Sequence, residues 1–174
     1  MTAIAPPMLQ QPPAPGVAPE PEVQRKVAII MSKGSLDMAY PGLILANAAR
    51  MNGIDAMLFF TFWGMEIVTE NKVDHLKVAT VGNPSLHLPT MLGGLPGFSG
   101  FVTHSMKKGI EKLDLPEVRE MVEILSDSGA EIYACRMAMD MFGLKEKDLV
   151  PQVQGVLSAM DFFDKTVGAQ VIFI

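Results

Sequence analysis

The chain has 174 residues, a mass of 18.9 kDa, a net charge of −5 and a pI near 5.1. Its hydrophobic share of 49% and mean hydropathy of +0.27 supply enough apolar surface for one core, which excludes a wholly disordered chain, and the length excludes a multidomain enzyme. The acidic balance speaks against nucleic-acid binding, because Lys107-Lys108 and the Lys145/Lys147 pair are offset by nearby acids. No apolar run approaches the roughly 18 residues of a membrane span.

Residues 1–21 hold seven of the 13 prolines and a single charge, Glu20. This stretch reads as a disordered proline-rich tail, leaving residues 22–174 as one α/β domain. From Arg25 onward the pattern changes. Val27 to Met31 is a continuous apolar run closed by Ser32-Lys33-Gly34-Ser35, the signature of a strand buried on both faces. A helix follows, with Ser35 or Asp37 as cap and Tyr40, Leu43, Ile44, Asn47 and Met51 on its apolar stripe. Pro41 suits such a helix only in its first turn, and Asn52-Gly53 ends it.

Residues 54–61 form the second predicted strand, with Phe62-Trp63-Gly64 at its carboxyl end. Residues 65–69 read as a short helix and 76–81 as extended. Residues 82–100, rich in glycine and proline, read as a long loop covering a site or an interface. Helices are predicted over 101–113 and from Pro116, with Val118, Met121, Val122 and Leu125 facing inward on the second. Glu131 to Ala134 is a strand that runs into Cys135, and residues 136–142 are a short helix stopped by Gly143. A helical turn over 145–149 precedes a strand at 153–156. A helix at 157–167 follows, with Met160, Phe163 and Val167 inward, and then a last strand at 170–174. Strands and helices in alternation predict a three-layer α/β/α sandwich around a mainly parallel five-stranded sheet.

In open α/β sheets, ligands bind at the carboxyl ends of the strands. Lys33-Gly34-Ser35, Phe62-Trp63-Gly64 and Cys135-Arg136 all fall there. Backbone N–H groups and the dipole of the following helix favour a thiolate at Cys135, and Arg136 adds to this. A thiolate is a nucleophile and can carry sulfane sulfur as a persulfide. A small buried hydrophobe is an equal reading of a free cysteine. Met139, one helical turn on, is placed beside the sulfur. Gly34-Ser35 before a helix can meet an anion but matches no nucleotide-binding motif. Trp63 is wall rather than catalyst. His75, His87 and His104 lack metal-ligand spacing, so no metal and no cofactor are expected. One cysteine also excludes an internal disulfide framework, and the N-terminus lacks a secretory signal, which points to the cytoplasm.

Four segments carry a family resemblance: 32–37 (SKGSLD), 39–47 (AYPGLILAN), 59–64 (FFTFWG) and 132–140 (IYACRMAMD). Together they resemble the DsrE/DsrF/DsrH-like family, closest to its stand-alone DsrE-type members, across the chain from Arg25 to Ile174. The resemblance implies an oligomeric α/β protein of cytoplasmic sulfur oxidation or sulfur relay. It implies that Cys135 accepts sulfane sulfur or thiosulfate, in exchange with a TusA-type carrier or a small thiol. Lys33, Gly34, Ser35, Trp63, Arg136 and Met139 are then the substrate-binding candidates. Some relatives carry a second cysteine and this chain does not, so no internal resolving thiol is available. The expected function is single-cysteine sulfur transfer. The alternative is a non-catalytic oligomeric binding or regulatory module with a structural cysteine. A homo-oligomer is expected in either case, since Leu86, Leu88, Met91, Leu92, Leu95 and Phe98 would otherwise leave a large apolar patch in water.

Overall fold

The computed structural model describes residues 25–79 and 98–174. The proline-rich tail and nearly all of the expected 82–100 loop lie outside them. The elements are β1 (Lys26–Met31), α1 (Leu36–Met51), β2 (Asp55–Phe60), α2 (Phe98–Glu111), α3 (Val118–Asp127), β3 (Glu131–Cys135), α4 (Arg136–Phe142), β4 (Gly155–Leu157), α5 (Ala159–Lys165) and β5 (Gln170–Phe173). Short 3₁₀ helices at Phe62–Val68, Val73–His75 and Glu146–Asp148 connect them.

All five strands are parallel, in the order β4-β3-β2-β1-β5. From β1 to β4 the chain steps in one direction across the sheet. It then jumps back past β1 to place β5. Right-handed crossovers require that reversal to put α5 on the face opposite α1, and side-chain contacts agree. Met31 and Phe60 are register partners on one face, where Gly42 of α1 rests on the Met31 thioether. Phe59 points the other way and meets Phe162 of α5, with ring centroids 4.9 Å apart. The α1 side carries the larger core. Ile29, Met31, Leu58, Phe60 and Ile132 of the sheet are buried there, as are Leu43 and Leu125 of the helices.

The inward stripe of α3 matches expectation: Val118, Met121, Val122 and Leu125 are all buried. Other expectations need correction. In α1, Tyr40 and Leu43 are buried, whereas Ile44 and Met51 are exposed. Pro41 lies inside the helix, beyond its first turn. Ser35 occupies the cap position without a side-chain bond, and Asp37 instead accepts the Ala79 amide at 3.0 Å. Pro116 precedes the cap residue Glu117 of α3, and residues 98–100 belong to α2. The fourth strand is shifted to Gly155–Leu157.

The largest reversal concerns α5. Met160, Phe163 and Val167 are 79%, 69% and 81% exposed, while Phe162 and Thr166 are buried. A reciprocal cap sets this register: the Asp161 amide donates to Ser158 Oγ at 3.2 Å, and the Ser158 amide donates to the Asp161 carboxylate at 2.8 Å. With the first turn fixed, positions 162 and 166 face the sheet, and the residues one step later face outward.

Candidate functional site

Cys135 ends β3 and is at once the cap residue of α4. It pairs in register with Leu157, the last residue of β4, so α4 and α5 begin side by side. Cys135 is 7% exposed and lies in the apolar core. Gly143 closes α4 in the left-handed conformation (φ 64°), where a side chain would be strained.

Arg136 is exposed at the first position of α4. Its charge reaches Asp161 on α5. That carboxyl is held below its usual range chiefly by its hydrogen bonds to Ser158, with Arg136 adding a smaller effect. Of the three methionines on α4, Met139 is buried, whereas Met137 and Met141 are 64% and 54% exposed.

Lys33, Gly34, Ser35 and Trp63 come together. They line a cavity of about 680 Å³ at the carboxyl end of β1. Its lining as described does not include Cys135, Arg136 or Met139. The 3₁₀ turn after β2 lies between this cavity and α4: its Trp63 carbonyl abuts Gly34 and its indole lies 5.1 Å from the Phe142 ring. The crevice between β1 and β5 is closed: the Ile174 carbonyl accepts both the amide and the hydroxyl of Ser32, each at 2.8 Å.

Sequence reasoning missed Lys72, His75 and Lys77 of the same cavity. They lie on an irregular segment that gives no periodic signal. What fixes that segment is distant in sequence. The Leu36 amide donates to the Lys77 carbonyl at 2.9 Å, and the Val78 amide to Thr103 Oγ1 at 3.0 Å. Arg119 of α3 bonds both Glu70 and Asp74, anchoring the preceding turn. His75 and His104 are exposed, and His87 lies outside the described residues. Among the described residues, no cluster of three or more His, Cys, Asp or Glu side chains could hold a metal, and no helix is long and apolar enough to cross a membrane.

An all-parallel α/β sheet with its one cysteine at a strand's carboxyl end defines the class of protein. The chain belongs to the DsrE/DsrF/DrsH-like family, whose model matches residues 23–174. It is 34% identical over 149 residues to the sulfur carrier protein DsrE2 of Allochromatium vinosum, covering 81% of this chain and 92% of that one. It is 24% identical over 163 residues to the uncharacterized protein YrkE of Bacillus subtilis, covering 88% and 99%. Among solved structures, the fold matches a protein of unknown function, MTH1491, from Methanobacterium thermoautotrophicum, with TM-score 0.55 and 11% identity. It also matches the ychN protein of E. coli, with TM-score 0.51 and 17% identity. Each match covers 86% of this chain and 99% of the other.

Proposed function

We propose that this protein is a cytoplasmic sulfur carrier that holds sulfane sulfur on Cys135. The observation that carries the reading is the position of Cys135, the chain's sole thiol, at the carboxyl end of a parallel strand and the start of α4. The 34% identity to a protein named as a sulfur carrier supports it. Cys135 thiolate attacks the outer sulfur of a donor persulfide. A new S–S bond forms, the donor's S–S bond breaks, and the donor leaves as a thiolate. With thiosulfate the leaving group is sulfite. In the second half, an acceptor thiolate attacks the outer sulfur and Cys135 leaves. No second cysteine exists in the chain to resolve the persulfide. The acceptor is therefore a small thiol or a partner protein of the TusA type. Arg136, beside the sulfur in sequence, offsets the anionic cargo and shares that charge with Asp161.

Intact-mass analysis after exposure to polysulfide or thiosulfate tests the proposal. The parent chain should gain the mass of one sulfur atom, reversibly with dithiothreitol, and Cys135→Ser should gain none. An unmodified parent chain would overturn the carrier role. The 7% exposure of Cys135 favours the second reading, a binding or regulatory module with a structural thiol. In that case iodoacetamide would label Cys135 only on unfolding.

The carrier is also proposed to be a homo-oligomer. The expected patch at residues 86–98 lies outside the described residues, but Phe163 on α5 and Phe173 on the edge strand β5 are 69% and 70% exposed. Exposed aromatic side chains on an edge strand and a short helix support this reading. Light scattering should give a multiple of 18.9 kDa, and the monomer mass would refute it.

A further inference from the structure

We infer that the cavity at the carboxyl end of β1 is a binding site for a small organic anion with a flat apolar portion, separate from the Cys135 site. Its volume, about 680 Å³, falls within the roughly 300–1,000 Å³ of small-molecule sites. In a chain of net charge −5, this cavity gathers three lysines, Lys33, Lys72 and Lys77, against one carboxylate, Glu66. Glu66 is already taken by Lys72 at 2.8 Å. The nearby acids are engaged as well: Asp37 accepts the Ala79 amide, and Asp74 is held by Arg119. Lys33 and Lys77 form no ion pair among the described residues. They arrive from different segments, one on the turn after β1 and the other beyond the 3₁₀ helices. Both line the same space and bring it positive charge.

The walls supply the apolar half. Leu76 and Val78 line the cavity from the buried side, and Trp63, 61% exposed, stands at its edge, its indole tilted against Phe142 and still open to a planar group. The site is preformed. The Leu36 and Val78 amides pin the segment that carries Lys77, and Gly34 lets the β1 turn approach the Trp63 carbonyl closely. Preorganised cations beside an apolar wall select a ligand that carries both features. An inorganic anion would use only the lysines, and a neutral aromatic only the wall.

Trp63 is the chain's sole tryptophan, so the indole is a built-in reporter. The test titrates the full chain with 8-anilino-1-naphthalenesulfonate, exciting Trp63 and reading energy transfer to the bound dye. Saturable transfer is expected. Affinity should fall about tenfold or more in the double charge reversal Lys33→Glu, Lys77→Glu, a loss equivalent to about 1.4 kcal/mol. Lys33→Ala, Lys77→Ala should show a smaller loss in the same direction. Lys147→Glu, at an exposed site outside the cavity, should change little. N-phenyl-1-naphthylamine, the same skeleton without the sulfonate, should bind more weakly. Equal binding of the two dyes overturns the proposal. So does an affinity insensitive to both double substitutions, which would place the dye on another apolar surface such as α5. The Cys135→Ser chain should bind the dye as the parent does. This keeps the result distinct from the carrier reading, and loss of binding there would place the dye at the thiol and overturn the separate site.

Discussion

Gly64→Ala is expected to destabilise the domain by about 3 kcal/mol, lowering the melting temperature by roughly 6–12 °C for a chain of this size. A Cβ at position 64 would strike the Met31 carbonyl oxygen. That obstacle is backbone, so no side-chain rotation relieves it. The same oxygen accepts the Thr61 amide at 3.0 Å, and the Gly64 amide bonds the Thr61 carbonyl at 2.9 Å. Moving Met31 therefore loosens the closing bonds between β1 and β2. It also shifts Trp63, whose carbonyl abuts Gly34 at the cavity. Stability and dye binding should fall together. Gly109 gives the contrast. It lies at an exposed position of α2, with no atom within 4 Å of its would-be Cβ. Gly109→Ala should be neutral or gain about 0.5–1 kcal/mol, from lower backbone entropy in the unfolded chain. Calorimetry on both variants decides the matter. A Gly64→Ala chain melting within about 2 °C of the parent would show that the strand ends yield without cost.

The parts of the fold legible in the sequence are those where one physical signal dominates. The apolar run at 27–31 and the Glu131–Cys135 strand could be read because a strand buried on both faces must be continuously apolar. The stripe of α3 could be read because Val118, Met121, Val122 and Leu125 recur at helical spacing beside a charged face. Helix α5 misled because Phe162 and Phe163 are both large and apolar, and periodicity alone does not choose between adjacent residues. Capping by Ser158 and Asp161 made that choice. Pro41 misled because its missing donor matters little on the exposed side of α1. At the site, strand-end logic found Cys135 and the Lys33–Ser35 turn. Nothing local records that Cys135 is buried with the core while Lys33 borders an open cavity. The cavity's other lysines were hidden because Lys72 and Lys77 are placed by bonds to Glu66, Leu36 and residues of other helices, which leave no trace in local spacing.

Phe60→Ala is expected to have the largest effect of all, about 3–5 kcal/mol out of a total near 5–15 kcal/mol. Phe60 is fully buried between its register partners Met31 and Ala134, under the α1 layer. Its neighbours are backbone-fixed strands that cannot close on the space left behind. Urea denaturation should show a lower midpoint at unchanged slope. A loss under about 1 kcal/mol would mean the core collapses freely around the gap. Phe162→Ala makes the informative comparison, since Phe162 is 4% exposed and also packs on a phenylalanine of β2. Its helix has only seven residues, and Phe163 and Val167 beside it face outward. Around an isolated chain, that region can relax or admit water, so the cost should stay below that of Phe60→Ala. If the two costs are equal at high protein concentration and diverge on dilution, the α5 face is covered in solution by another copy of the chain. If Phe162→Ala is the milder change at every concentration, that face is open, and the subunit contacts lie elsewhere.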